Sequence, residues 1–519
     1  MLQLHKNKGS TEGKGGFEMK KIGLLLLAAV LLLMPVLMAA EVNLEDDESV
    51  HYSFTVMQGK QFDVPEENAT LSFLGEKFNA NFEFMLVSRG ANDYQNKLNL
   101  LIASDDLPDL VQVNDYSILT TMVEMGLLLP LDDLVEKYGQ EMKAIRPQEC
   151  WDPFIFDGKL YSLPNQYRTD GIIPVIREDW LKKLSLAIPT TIEEYEEAIR
   201  AFTEDDPDGN GKKDTYCISG PNAPITSTFL PAYLYYGVLP DQWILQDGKL
   251  TFGSIQPEML DALKLINKWF RAGYIDPQFP LYNREKFEEM LGQGKFGSYG
   301  STEVQRLDPA FDIGLAALRE AEPESHFIAY EPIVSKDGVK RLWTNDYRSI
   351  GYTMAISAKC ENPVRLMKLL NYAASEEGYL RIRYGEEGVH YTVDESGTFH
   401  FTPEWEDINK RTQEGLSIQY SNLFRREWFD RCASQEVWDG VRMFETYGEP
   451  ISPIFVTTDA DIEYNTILTT LRDEAFTKMI CAADETALDK MFDDFCASWL
   501  ANGGEEVIRQ KNEAYQESL

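Results

Sequence analysis

Histidine and cysteine are scarce in this chain, and its basic residues are outnumbered. The 519 residues hold five histidines, six cysteines and 49 lysines and arginines against 85 acids, for a net charge of −36. Such a balance repels phosphate backbones and works against counterion-release binding, which sets nucleic acid aside as a partner. Cys150, Cys217, Cys360, Cys432, Cys481 and Cys496 form no CxxC and no dense spacing, so neither a zinc site nor a disulfide framework is indicated. HExxH and GxSxG are absent. A GxGxxG does occur, "GQGKFG" at 292–297, but it follows a helical pattern and leads into an apolar stretch, the reverse of a dinucleotide-binding turn. Each histidine after the leader adjoins an aromatic, among them His51-Tyr52, His390-Tyr391 and His400-Phe401 in strand-like segments, which suits packing better than a metal cluster. Acids are too numerous to single out a glycosidase pair.

A long apolar run occurs at the amino terminus. Lys20 and Lys21 precede Ile22–Met38, and Ala39 and Ala40 close it. This is a signal-peptide pattern over residues 19–40, with a retained anchor as the alternative; about 17 apolar residues broken by Pro35 are short for a span of roughly 20. Residues 1–18 are polar and read as an extension upstream of a true start at Met19. Removing residues 1–40 takes away five lysines and two glutamates, so the exported chain is more acidic still.

The length exceeds what one core fills, so two or more lobes are expected, and 44% hydrophobic content can fill them. The acidic "EVNLEDDES" (41–49) reads as a tether, followed by strands at 51–57 and 81–87. Tyr94, Leu98, Leu101 and Ile102 lie at helical spacing, Pro108 stops that helix, and "LVQV" is a short buried strand, completing a β-α-β unit. Asn114 and Asp115 lie just past its carboxyl end, where ligand crevices form in open α/β sheets. Thr190 and Thr191 each precede a glutamate by three residues, a capping-box signal, and Ile192, Tyr195, Ile199 and Phe202 make one apolar face. The helix before Gly273 and the one begun by Asn362-Pro363 follow the same logic. No fixed-period repeat or low-complexity block interrupts this alternation.

"DPDGNGKKDT" (206–215) sets oxygen-bearing side chains at every second position and then turns at glycine. Asp206, Asp208 and Asn210 take positions 1, 3 and 5 of an EF-hand-like loop, Gly211 the turn, Lys212 the carbonyl position and Asp214 position 9. Cys217 stands where a bidentate glutamate would close the shell, so a structural Ca2+ site and a plain Asx/Gly turn are both open readings. Aromatic and amide residues recur at loop positions: Trp151, "NQYR" (165–168), Trp243, Tyr299 and "WTNDYR" (343–348). Aromatic faces stack on sugar rings while amides and charges bond hydroxyls, so the set suits a polar, ring-bearing ligand; ordinary core packing is the competing explanation.

The order of segments "LIASDDLPDLVQVND", "LPLDDLVEKYG", "FDGKLYSLPNQ", "IREDWLKKLSLAIPTTIEEYEEAIRAF", "DPDGNGKKDT", "LINKWFRAGYIDPQF", "GKFGSYG", "CENPVRLMKLLNYAAS" and "YGEEGVHYTV" resembles extracellular solute-binding proteins of family 1. Within it, the chain is similar to the calcium-loop subgroup of ABC-importer lipoproteins that includes alginate-binding proteins. The resemblance implies a periplasmic-binding-protein-like α/β fold of two lobes joined by a hinge, with the ligand cleft between them. It puts 41–170 plus 300–355 in the first lobe and 171–299 plus 356–519, calcium loop included, in the second. Calcium would be held by Asp206, Asp208, Asn210, the Lys212 carbonyl and Asp214, with Thr215 where relatives carry an acid. Asn114, Asp115, Gln166, Tyr167, Arg168, Asn345 and Arg348 are expected as polar ligand contacts, and Trp243, Tyr299, Trp343 and Tyr347 as stacking surfaces.

Relatives usually carry a lipobox cysteine, but Ala40 stands there, so acylation at that position is excluded. The resemblance implies no bond chemistry: a monomer closes on its ligand and the closed form is read by a membrane permease driven by an ATPase. The negative charge favours a neutral oligosaccharide over a polyanionic one, unless arginines such as Arg168 or Arg348 line the cleft. A peptide or other polar solute is an alternative cargo, and a secreted carbohydrate-active enzyme or a surface adhesion module an alternative class.

Overall fold

The computed structural model describes residues 42–517 apart from 61–63, 89–92, 145–147, 165–169, 221–224, 302–303, 309–311, 346–352, 396, 417–433 and 455–456. The chain divides after Asn43, and every element below lies in the unit Leu44–Leu519. Eight strands make two four-stranded sheets: β1 (Tyr52–Lys60), β2 (Ala80–Ser88), β3 (Leu110–Val113), β4 (Ile173–Arg177), β5 (Tyr216–Ile218), β6 (Phe296–Ser301), β7 (Phe327–Ala329) and β8 (Thr353–Ile356). The first sheet has the order β8-β3-β1-β2, with β1 parallel to β2 and β3 and with β8 antiparallel to β3. The second has the order β7-β4-β6-β5, where β4 runs antiparallel to β6 and β7 and β6 is parallel to β5.

Helices form where local signals agree. The helix Asp93–Ser104 buries Tyr94, Leu98, Leu101 and Ile102, the four residues its period selects. Thr191 caps Ile192–Glu204 in a complete capping box with Glu194, and the buried face includes Ile192, Tyr195, Ile199 and Phe202. Gly273, at φ 84°, ends Pro257–Ala272 in the left-handed region that glycine tolerates, and Asn362 caps Pro363–Ala373 through the Arg365 N–H. "GQGKFG" is the turn from the helix Arg284–Gly292 into β6.

Strand pairing divides the chain differently from the expected boundaries. Among the described residues of 300–355, β7 pairs with β4 in the second sheet, and Thr353, Met354 and Ala355 of β8 enter the first. Helix Pro363–Ala373, expected with the second lobe, packs on Ala69–Phe78, Asp132–Tyr138 and Gln140–Ala144 beside the first sheet. Its Leu369 and Ala373 join Leu74 and Ile382 in one apolar cluster with Phe82 and Phe84. The reason is pairing: apolar faces, rather than chain order, decide which sheet a late segment covers. Leu163 bridges to Met354 of the first sheet and Ile173 opens β4 of the second; between them in the chain, Asp170–Gly171 pairs with Leu342–Asn345, which pairs on its other side with Gly448–Pro450. Gly171 is required there, since a Cβ would lie 2.0 Å from the Trp343 carbonyl oxygen.

The acidic start is no loose tether. Asp46 is sealed, its side chain 1% exposed, against Arg365 at 2%. The guanidinium gives Asp46 Nη2–Oδ1 2.7 Å and Nε–Oδ2 3.0 Å, and it also donates to the carbonyls of Asp47, Phe78 and Asn79. Lys368 and Asn362 complete the carboxylate's partners. Burial pushes the Asp46 carboxyl upward, but bonds from Arg365, Lys368 and Asn362 outweigh it and hold the group well below the usual carboxylate range. A depressed folded value gives stability that is complete above the unfolded value near ~3.9 and is lost as pH falls from there. Asp46→Asn is expected to cost about 3 kcal/mol at pH 7 in denaturant melts. The gap from the parent should close as pH drops below about 4; a constant gap contradicts the assignment.

Candidate functional site

The first sheet is built so that its carboxyl edge is polar. Register sets Val56 beside Leu110 and Met57 beside Val111, so the next residues, Gln58 and Gln112, share a face. Gln112 is satisfied: its Oε1 accepts from Gly59 N–H at 2.9 Å, and its carbonyl accepts from Tyr94 Oη–H at 2.5 Å. Gln58, only 4% exposed, has a buried Oε1 with no hydrogen-bond partner among the described residues. The Oδ1 of Asn114, immediately after Val113, is in the same condition. Asp115 caps the helix Tyr116–Glu124, its Oδ1 accepting from Ser117 N–H at 2.8 Å, Ile118 N–H at 3.1 Å and Ser117 Oγ–H at 2.5 Å.

Aromatic rings flank this corner. Tyr116, the first residue of that helix, stacks on Phe156 with centroids 5.6 Å apart and planes at 28°. Phe156 meets Tyr161 edge to face at 6.3 Å. Phe156 stands on a hairpin, Ile155–Phe156 against Lys159–Leu160, whose Asp157-Gly158 turn has φ of 49° and 76°, as a two-residue hairpin loop demands. An antiparallel bridge from Leu163 to Met354 fixes the following segment on β8. All three rings are half-buried, with part of each surface open.

The expected site residues fall into distinct groups. Asn114 and Asp115 lie at the edge just described, Asp115 serving also as a cap. Tyr299 is 6% exposed and wedged edge-on between Phe287 and Phe327, at 5.7 and 5.3 Å; Trp343 is 2% exposed within the same core. Neither offers an open face for stacking, because β6 and the Leu342–Asn345 strand turn these rings into the second sheet's core. Trp243 is half-buried on the hairpin Trp243–Gln246/Lys249–Phe252, tilted against Phe252 at 5.1 Å and packed on that core. Asn345 pairs by its backbone with Asp170. Gln166, Tyr167, Arg168, Tyr347 and Arg348 lie outside the described residues. Sequence reasoning missed Gln58, although a lone amide in "FTVMQG" was a visible signal, and it passed over Tyr116, Phe156 and Tyr161.

The loop 206–215 joins helix Ile192–Glu204 to β5. Asp206 Oδ2 accepts from Gly211 N–H at 3.0 Å, while its Oδ1 is buried with no partner among the described residues. Asn210 donates from Nδ2 to Asp208 Oδ2 at 2.6 Å and Asp214 Oδ1 at 3.0 Å, and its Oδ1 accepts from Lys212 N–H. Burial pushes the Asp208 carboxyl up, and the neighbouring Asp206 and Asp214 push the same way. The Lys295 ammonium, 2.6 Å from Asp214, holds that carboxyl down, with Asn210 helping. The orphaned oxygen and the crowded carboxylates suit a hard cation. Two features do not: Lys295 already neutralises Asp214, and Thr215, 2% exposed, turns away to donate to the Phe202 carbonyl at 2.9 Å. Thr215 therefore ties the loop to the preceding helix and is no ligand in this arrangement. Among the described residues no three His, Cys, Asp or Glu groups gather closely enough to hold a metal.

Comparison with known proteins places the chain. The family profile described as "Bacterial extracellular solute-binding protein" matches residues 63–379. The polygalacturonan/rhamnogalacturonan-binding protein YtcQ of Bacillus subtilis is 26% identical over 443 residues, covering 82% of this chain and 84% of that protein. The fructooligosaccharide ABC transporter substrate-binding protein FusA of Streptococcus pneumoniae is 29% identical over 226 residues, covering 40% of this chain and 42% of its own length. Among solved structures, the alginate-binding protein AlgQ2 without calcium ion superposes with a TM-score of 0.72 at 20% identity, covering 90% of this chain and 98% of its own. FusA in complex with kestose gives 0.70 at 17%, covering 90% and 99%. The periplasmic-binding-protein-like arrangement of two α/β lobes is thus the fold of this chain.

The packing assignments have a direct check. Tyr299→Ala and Trp343→Ala are each expected to lower stability by about 3–5 kcal/mol in denaturant melts, as core aromatics do. Asn114→Ala should leave stability within about 1 kcal/mol of the parent, because it removes an unsatisfied group.

Proposed function

The chain belongs to the bacterial extracellular solute-binding proteins, a family of binding proteins rather than enzymes, and on that premise we propose that it captures an oligosaccharide outside the cytoplasm for an ABC importer. The observation that carries this reading is the carboxyl edge of the first sheet, where Gln58 and Asn114 hold amide oxygens out of water with no donor among the described residues. Their position at the carboxyl end of adjacent strands, where open α/β sheets bind ligands, leaves these acceptors available to a bound molecule. Sugar hydroxyls are the donors these oxygens lack, and the half-open rings of Tyr116, Phe156 and Tyr161 suit sugar faces. The names of YtcQ and FusA point to carbohydrate cargo, uronate-bearing in the first and uncharged in the second, and the acidity of this chain favours the uncharged kind.

Capture works by population shift: the closed form gains contacts the open form lacks, and a permease reads closure. The protein acts as a monomer, exported by residues 19–40 and not acylated at Ala40. No helix among the described residues is long and apolar enough to cross a membrane. Ca2+ is proposed as a structural ion in the loop 206–215, held by Asp206, Asp208, Asn210, the Lys212 carbonyl and Asp214 once Lys295 swings away; AlgQ2 and FusA have been studied without calcium and as an EF-hand mutant respectively.

The test is thermal unfolding of the purified protein against defined neutral and acidic oligosaccharides and peptides, each sample then weighed by mass spectrometry. An intact oligosaccharide that raises Tm is expected; a cleaved one makes the protein a carbohydrate-active enzyme, and a peptide hit moves the cargo class. A parallel series should show Tm rising with calcium, falling back with chelator, and indifferent to both in Asp206→Ala. A parent protein that ignores calcium leaves the loop as a turn.

A further inference from the structure

We infer that the Lys295 ammonium is a built-in counter-ion of the loop 206–215, seated on Asp214 when calcium is absent and expelled when the ion binds. This deepens the calcium reading of the loop and rests on it. Asp206, Asp208 and Asp214 bring three carboxylates into one short turn, where like charges at close range need a cation among them. Burial pushes the Asp208 carboxyl up, and Asp206 and Asp214 add to it. Among the described residues, the ammonium bonded to this cluster is that of Lys295, whose Nζ lies 2.6 Å from Asp214 Oδ2. It comes from outside the loop, on the turn that leads into β6 and 81 positions after Asp214. The opposite side of the cluster is unserved, since Asp206 Oδ1 is buried with no partner among the described residues. A single positive charge thus stands where a double one would satisfy both sides. An ammonium and a divalent ion on one carboxylate repel strongly, so the ion displaces the lysine.

The backbone is held so that only a side chain has to move. The Lys295 carbonyl accepts from Tyr216 N–H at 2.9 Å, where β5 and β6 begin to pair. Thr215, next to Asp214, is fixed by its bond to the Phe202 carbonyl at 2.9 Å. Within the turn, Gly211 N–H donates to Asp206 Oδ2 at 3.0 Å and Asn210 N–H to Asp208 Oδ1 at 3.1 Å. None of these bonds requires an ion. The Lys295 side chain is 24% exposed, so its long stem has solvent to swing into. The two features that oppose a metal here, the occupied Asp214 and the withdrawn Thr215, are then parts of one device: a loop that keeps its shape without calcium and binds it against a resident competitor. Lys183 gives the contrast. Its Nζ also reaches the loop but bonds a carbonyl, that of Pro207, at 2.5 Å.

The test compares the purified protein in calcium and in chelator. In the parent, lysines are acetylated briefly with an activated ester and mapped by mass spectrometry, an arm that needs no variant. Lys295 should react several-fold faster in calcium, with Lys183 unchanged. Calorimetric calcium titrations and melts are then run on the parent, Lys295→Gln and Lys183→Gln. Lys295→Gln is expected to bind calcium about tenfold more tightly. It should melt below the parent in chelator and at or above it in saturating calcium, whereas a lysine that only braces the fold would lower Tm in both. Lys183→Gln should gain far less affinity. Calcium binding that is unchanged or weaker in Lys295→Gln, or Lys295 acetylation that does not rise with calcium, overturns the exchange and leaves the calcium site standing. Equal gains in the two variants overturn it as well, because overall charge would then account for both. If none of the three proteins binds calcium, the calcium reading of the loop fails and this inference with it.

Discussion

A guanidinium shut away from water must find an acceptor for nearly every N–H it carries, and in the first lobe that requirement is placed on Arg365. Its acceptors come from three places: the Asp46 carboxylate and Asp47 carbonyl of the entering chain, and the carbonyls at the end of helix Ala69–Phe78. None can be moved without stranding a buried charge. The helix Pro363–Ala373, which carries Arg365, therefore holds the amino-terminal segment and the β1–β2 crossover in one setting, and the register of β1 against β2 and β3 inherits it. The polar carboxyl edge of the first sheet is thus positioned with the help of an ion pair remote from it in the chain.

What could be read from the sequence was whatever local chemistry decides. Thr191 with Glu194, Gly273 and Asn362-Pro363 marked helix ends because capping is settled within a few residues, and the faces of 93–104 and 192–204 followed from period alone. Interactions across long separations were hidden. Asp46 looked like part of a solvated acidic run because its partner lies 319 residues later. The sheet that 313–345 and 363–373 would join was equally invisible, since nothing local distinguishes one apolar face from another.

The site was legible in outline only. Asn114 stood out because a strand end is a local feature and the carboxyl edge a general place for ligands. Tyr299 and Trp343 misled because an aromatic residue in a short strand has two faces to choose from, and both chose the core. Gln58 was passed over: a lone amide in an apolar strand was visible in the sequence, but that its oxygen meets no donor among the described residues is a three-dimensional fact. Thr215 belongs with these, its hydroxyl spent on Phe202 at a position where spacing pointed to a metal.

The ribbon Asp170–Gly171, Leu342–Asn345 and Gly448–Pro450 bears on motion. Two passages of chain between the sheets are stitched side by side by backbone hydrogen bonds, with Gly171 pressed against the Trp343 carbonyl too closely for any side chain. Strands bonded in this way cannot pivot one at a time; they twist together as a strip. Any rotation of one sheet relative to the other therefore loads this ribbon as a unit, so its three strands resist twist together where a lone connecting strand would yield.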